Sequence, residues 1–285
     1  MTDEVLEEKG TLQIEQCMMC PICGMGKVAE GDPVFVTQYH GVNLAYAKCT
    51  SCEGYWLVNR MPESFQEEYY RDFYRKITTP TKEMFDLSLL AEEMRARKQL
   101  DFIKDELPLV ESVLDFGSAS GAMLQMLKNE YQKDVVGIEI GVNGQSERAK
   151  ELGLPIFGSL NELQGRKFDL IILSHVLEHM NYPVKFLVEL MKSLNLGGSM
   201  LIDVPNVHAD RSAMILHHPI AFSFTSMYRM LDVLGLRIEE FMKYDWEHTP
   251  IERSMLFLVR RDTNADGHAI WLGRSVVETG VEVYA

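Results

Sequence analysis

The chain of 285 residues carries a formal net charge of −14, with 46% apolar and 25% charged residues. That composition belongs to an ordinary globular protein with one sizeable core and room for a small appendage. The acidic balance argues against a partner held mainly through phosphate contacts, so no nucleic acid is expected, and no apolar run is long enough for a membrane helix.

The N-terminal stretch MTDEVLEEKG lacks the basic and apolar parts of a signal peptide, which makes the cytoplasm the expected compartment. All five cysteines, Cys17, Cys20, Cys23, Cys49 and Cys52, lie in the first 52 residues. In a reducing compartment such clustering points to a metal rather than to disulfides. Cys20-Pro-Ile-Cys23 and Cys49-Thr-Ser-Cys52 are two C-x-x-C knuckles separated by a hairpin-sized segment. Two such pairs supply four thiolates in a tetrahedron, the geometry of a closed structural zinc site. Cys17 is left over, either a substitute for Cys20 or a spare. The metal would contribute folding energy to a module too small for its own core. Between the knuckles, PVFVTQYHGVNLAYAKC reads as a hairpin with its turn near His40-Gly41.

After the cysteines comes a helical connector. PESFQEEYYRDFYRKI starts with Pro62 at a first helical position, and EMFDLSLLAEEMRARKQLDFIKDEL has apolar residues at helical spacing. Arg95, Arg97 and Lys98 read as a solvated face rather than a binding patch. From about Glu111 the pattern alternates. SVLDFG, DVVGIEI, FDLIILS and SMLIDVP are apolar runs suited to buried parallel strands, with helical segments between them. A further helix, FTSMYRMLDVLG, precedes the strands RIEEFMKY and SMLFLVRR. The fold class is α/β, a doubly wound sheet with right-handed crossovers. The expected organisation is a zinc ribbon over residues 1–60, a connector over 61–108, a catalytic domain over 109–261 and a tail over 262–285.

The first strand of the α/β part runs into a turn of small residues, LDFGSASGAML, with the pattern D-x-G-x-x-x-G. Ligands of doubly wound sheets bind beyond the carboxyl ends of the strands, and glycines there let the backbone approach closely. The spacing is not the G-x-G-x-x-G of a dinucleotide cradle. Glu139 follows about twenty residues later, where an acid accepts both hydroxyls of a ribose.

Taken together, LDFGSASG, GIEIG, FDLIILSHVLEHM and LNLGGSMLIDVPN resemble, in order and spacing, the class I, Rossmann-type S-adenosylmethionine-dependent methyltransferases. The resemblance implies a mostly parallel seven-stranded sheet. It places Asp115, Gly117, Ser118 and Gly121 around the methionine end of the cofactor and Glu139 at its ribose. Ser118 stands where many relatives carry another small residue. Ser159 is the candidate for the adenine end, where relatives often have Asp, and Ser174 sits near the sulfonium. Methyl transfer is an in-line displacement, and a hydroxyl acceptor benefits from a nearby base. His175, at the end of the fourth strand, is the best-placed histidine, with His208 a second candidate and His179 also in the candidate set. A bracing role for Glu178 and His179 stays open, and His217-His218-Pro219 reads as a lid loop. A CPICG…C-x-x-C ribbon ahead of such a domain resembles enzymes that methylate sugars or other small metabolites, with Tyr69, Tyr70 and Tyr74 as candidate pocket residues. The expected cofactors are S-adenosylmethionine and a structural zinc ion, and the expected partner is a small-molecule or glycan acceptor. A homo-oligomer is left open. The competing readings are an RNA or tRNA methyltransferase and a catalytically silent interaction protein.

Overall fold

The structure, a computed structural model, describes residues 13–28, 35–39, 42–74, 78, 81–140, 144–209, 213–245 and 251–261. The expected tail over 262–285 and the turn at His40-Gly41 lie outside the described residues.

The N-terminal part is built from short strands: β1 (Glu15–Gln16), β2 (Phe35–Tyr39), β3 (Val42–Lys48), β4 (Tyr55–Leu57) and β5 (Asn59–Arg60). β2 and β3 pair antiparallel with Tyr39 opposite Val42, as the alternation of the segment expects. β1 closes on β5. Helix α1 (Glu63–Glu68) follows, with Pro62 at the N-cap rather than inside the first turn, and passes into a π-helical turn over Tyr69–Phe73.

Helix α2 (Lys82–Phe102) starts where the Thr81 side chain accepts a hydrogen bond from the Met84 amide at 3.2 Å. It leads into β6 (Ser112–Phe116), α3 (Ala122–Glu130), β7 (Asp134–Ile138), α4 (Gly144–Glu151), β8 (Ile156–Phe157), β9 (Phe168–Ser174), α5 (Pro183–Leu190) and β10 (Leu194–Pro205). The chain ends its described part with β11 (Ile220–Ala221), α6 (Phe224–Val233), β12 (Leu236–Tyr244) and β13 (Ser254–Arg261). Seven of these strands form one sheet in the order β12-β13-β10-β9-β6-β7-β8. β8, β7, β6, β9 and β10 run parallel, and β13 is antiparallel to both its neighbours. This is the mostly parallel seven-stranded sheet that the resemblance to the methyltransferases implies. The inner strands are buried on both faces, which is why they read as unbroken apolar runs.

The strand order reverses between β6 and β9, opening a crevice beyond their carboxyl ends. The N-terminal part does not stand apart from the sheet. β11, from the segment after β10, pairs with β4 and completes a four-stranded sheet in the order β11-β4-β3-β2. Arg60 is 2% exposed and donates to the Asn181 carbonyl and the Glu15 carboxylate, both at 2.8 Å. The Asn181 amide in turn donates to the Met61 carbonyl at 2.8 Å.

Candidate active site

The crevice holds a cavity of about 440 Å³. Its floor is the turn after β6. Gly117 has φ +78°, and a Cβ there would meet Val176 Cγ2 at 2.7 Å, so only glycine lets the chain turn at this point. The Gly117 and Ser118 amides donate to the Ile138 carbonyl at 2.8 and 3.0 Å, fastening the turn to β7. Ala119 is held at φ +44°, with its amide donating to the Glu139 carboxylate at 2.8 Å. A left-handed alanine is costly, and such strain concentrates at ligand sites. The Ser118 and Ser120 hydroxyls are buried with no hydrogen-bond partner among the described residues.

Four carboxylates line this cavity: Asp115 from the end of β6, Glu139 beyond β7, Glu92 from α2 and Glu178 at its far end. Burial first, then the charges of Glu139 and Glu92, push the Asp115 carboxyl up to about 7. Arg95 and Gln99 line the α2 side. Gln99 donates to Asp203 at 2.7 Å and to the Ser174 hydroxyl at 2.8 Å, tying the connector helix to the ends of β9 and β10. The Tyr244 hydroxyl also donates to Asp203.

The far end of the cavity is histidine-rich. His175 follows β9 at φ +55°, its amide donating to the Asp203 carbonyl at 2.9 Å. Its Nδ1 lies 3.2 Å from the Glu178 carboxylate, close enough for an ion pair but without hydrogen-bond geometry, since neither Glu178 oxygen has a hydrogen-bond partner among the described residues. Burial, reinforced by Arg95 and opposed by Asp203, lowers the His175 imidazole to about 4. Burial also raises Glu178 to about 7, against the pull of His179. Around them stand the rings of Tyr69, Tyr70, Tyr74, His179, His217 and His218. Centroids are 4.7 Å apart for His179–His218, 5.0 Å for Tyr74–His217 and 5.6 Å for Tyr70–His179.

Of the residues expected from the sequence, Asp115, Gly117, Ser118, Glu139, Ser174, His175 and His179 line the cavity, as do Tyr70 and Tyr74. Gly121, Ser159 and His208 do not. Gly121, at φ +76°, caps α3, and a Cβ there would strike Leu154 at 2.5 Å, so this glycine serves close packing of the turn. Ser159 caps a short 3-10 turn and donates to Glu162 at 3.1 Å. The His208 amide donates to the Asn206 side chain at 3.1 Å. The reading of His217 and His218 as a surface lid is corrected: both are buried, at 3% and 8% exposure, inside the aromatic wall. The basic run also divides, with Arg95 facing the cavity and Arg97 paired with Glu130. Glu92, Arg95 and Gln99 were not singled out as site residues. Their spacing along one helical face is the signal that could have found them.

The four paired cysteines form a second cluster, their sulfurs all within 4.8 Å of one another. Cys20 and Cys52 sulfurs are 3.7 Å apart, and those of Cys23 and Cys49 3.6 Å. A tetrahedron with Zn–S bonds of about 2.3 Å has edges of about 3.8 Å, so the cluster fits zinc. The Cys17 sulfur instead donates to the Met19 carbonyl at 3.2 Å, and Cys17 stands outside the quartet.

Residues 89–240 match the family model described as a methyltransferase domain, more than half of the chain, and the chain belongs to that family. The fold is that of the class I S-adenosylmethionine-dependent methyltransferases. The chain is similar to magnesium protoporphyrin IX methyltransferase (ChlM) from Synechocystis PCC 6803 with bound SAH. Identity is 13% and the TM-score 0.52, covering 70% of this chain and 100% of that one. It is also similar to the plantazolicin methyltransferase BpumL in complex with a monoazolic desmethylPZN analog and SAH. There the identity is 11% and the TM-score 0.51, over 69% of this chain and 96% of that one. No curated protein matches the chain by sequence. Among the described residues, no helix is long and apolar enough to cross a membrane.

The residues present fit S-adenosylmethionine. Its sulfonium and ammonium are cations, its ribose offers two hydroxyls, and the cavity presents four carboxylates and unpartnered hydroxyls beside the glycine turn.

Proposed function

We propose that the protein transfers a methyl group from S-adenosylmethionine to a small-molecule or glycan acceptor, in the cytoplasm. One observation carries this reading: the cavity at the strand-order reversal, with Asp115, Glu139 and Glu92 on its walls and the Gly117 turn as its floor. A surplus of carboxylates around one cavity disfavours anionic ligands and favours a cation bearing hydroxyls. When bound, S-adenosylmethionine supplies an electrophilic methyl on a positively charged sulfur.

In this proposal Asp115, Gly117 and Ser118 surround the methionine end and Glu139 accepts the ribose hydroxyls. Gly121 keeps the turn tight, and Ser174 stands at the β9 end near the reacting sulfur. His175 receives the proton of the acceptor, because it is the histidine at the strand end with its ring on the cavity wall. His179 contacts the acceptor from the aromatic end. Ser159 and His208, which lie outside the cavity lining, are given no role. Alignment of acceptor and methyl accounts for much of the rate in such a displacement, and the Tyr70, Tyr74 and His179 rings form a preorganised wall for that purpose. The reducing cytoplasm keeps the five cysteines as thiols, the form that binds zinc.

The test is turnover. The full chain is incubated with methyl-deuterated S-adenosylmethionine and a panel of acceptors beginning with nucleotide sugars, and products are read by mass spectrometry. A labelled product supports the reading. Tight cofactor binding with no labelled product across nucleotide sugars, free sugars and small phenols would favour a silent cofactor-binding relative.

A further inference from the structure

Beyond the expected cofactor contacts, the histidine-rich end of the cavity contains a set of metal-ligating groups. One carboxylate oxygen of Glu178 and one ring nitrogen each of His179 and His218 lie within 4.8 Å of one another. We propose that these three residues bind a divalent first-row transition metal ion, separate from the zinc of the cysteine cluster.

Three observations carry the proposal. Glu178 is 1% exposed, and both its oxygens are without a hydrogen-bond partner among the described residues. A buried carboxyl normally finds donors, and one that has none is waiting for a ligand or costs the fold its desolvation. Next, both histidines are oriented from behind. His179 Nδ1 lies 2.8 Å from the His217 carbonyl, and His218 Nδ1 lies 2.9 Å from the Ala213 carbonyl. A carbonyl only accepts, so in His218 the proton sits on Nδ1 and Nε2 carries the lone pair that ligates, while the His179 Nδ1 is held between the His217 carbonyl and the Tyr70 hydroxyl, the latter also at 2.8 Å. This backing of a ligating imidazole by a carbonyl is the usual support around metal-bound histidine. Finally, all three residues line the cavity. Two histidines and one carboxylate leave coordination positions open for an oxygen donor.

The mixed nitrogen and oxygen set suits iron, cobalt, manganese or zinc in the divalent state better than calcium or magnesium, which prefer oxygen alone. A metal there would hold an acceptor through its oxygen donors and orient one hydroxyl toward the methyl group. That last role rests on the methyltransferase reading; the metal site itself does not.

The experiment uses the full chain with its cysteine cluster loaded with zinc. Co²⁺ is added under equilibrium dialysis, with metal content and visible absorption measured together, for wild type, Glu178→Gln and His218→Ala. The expected result is one Co²⁺ per chain beyond the zinc, with weak d–d bands and no thiolate charge-transfer band. Binding should be at least tenfold weaker in both variants. Only one metal equivalent per chain in the folded wild type overturns the proposal. So does a second Co²⁺ held equally well by the variants, or cobalt that appears only with thiolate charge transfer. Because Glu178→Gln preserves shape, unchanged thermal unfolding of that variant separates a lost ligand from a lost fold. S-adenosylmethionine calorimetry on the same samples tells the two ideas apart: cofactor binding without a second metal removes only the metal site, and a second metal without cofactor binding removes only the functional reading.

Discussion

Asp115 sits 3% exposed at the end of the central strand, and the Glu139 and Glu92 carboxylates face the same cavity. Its carboxyl, pushed from the ordinary 3.8 to about 7, is raised in the folded state. A raised acid favours the fold in its protonated form. Its contribution is present below about pH 4 and is lost as pH rises through about 7. Without cofactor, Asp115→Asn should therefore be more stable than wild type at pH 8 by on the order of 2–4 kcal/mol, and the gap should close toward pH 4. Urea unfolding at both pH values measures it, and an equal gap at both would contradict the assignment. The same variant should bind the cationic cofactor more weakly, a case of stability held back for function. His175→Ala should lower kcat about 10²-fold or more while leaving cofactor affinity within about twofold; an equal loss in both would instead make His175 part of the cofactor's seat. Asp115 and Glu139 were legible as residues of one cavity because a D-x-G turn and a later acid come in the order of the motifs that resemble the methyltransferases. Glu92 and Gln99 were not, because a polar residue on a helix reads as solvated until its tertiary neighbours are known.

At the scale of elements, the turn after β6 and helix α2 do most to shape the cavity. Gly117→Ala would force a Cβ to within 2.7 Å of Val176 Cγ2 at a left-handed φ. It should cost about 1–2 kcal/mol in stability and at least tenfold in cofactor affinity, read by thermal unfolding and calorimetry. Alanine tolerated with wild-type affinity would mean that the turn does not approach the ligand closely. The long strands were legible as apolar runs, since strands buried on both faces have little choice of side chain. The two-residue strands β8 and β11 were not, because nothing periodic fits in so short a span. Nor was the π-helical turn at Tyr69–Phe73, whose sequence continues a helical pattern.

Across the whole molecule, the cysteine module is part of the catalytic body. Trp56 is 1% exposed in the same apolar cluster as Phe222, Met227 and Ile202, and β11 pairs with β4 across that junction. The two C-x-x-C knuckles made the metal cluster legible. The docking was invisible, because it depends on pairing residues more than 160 positions apart in sequence, such as Trp56 with Ile220. A shared core predicts shared unfolding. Cys49→Ser, or zinc removal by a strong chelator, should lower the midpoint of a single cooperative transition seen by both far-UV circular dichroism and tryptophan fluorescence. Two separate transitions, with the larger one unmoved, would contradict a common core.

The central claim is that the crevice beyond β6 and β7 seats S-adenosylmethionine. Calorimetric titration of the zinc-loaded full chain tests it most directly, with Glu139→Ala and Asp115→Asn alongside. The account predicts one cofactor per chain for wild type and at least tenfold weaker binding in each variant, with the fold intact by circular dichroism. No heat of binding from a folded, zinc-loaded wild type, or binding untouched by both substitutions, would contradict it.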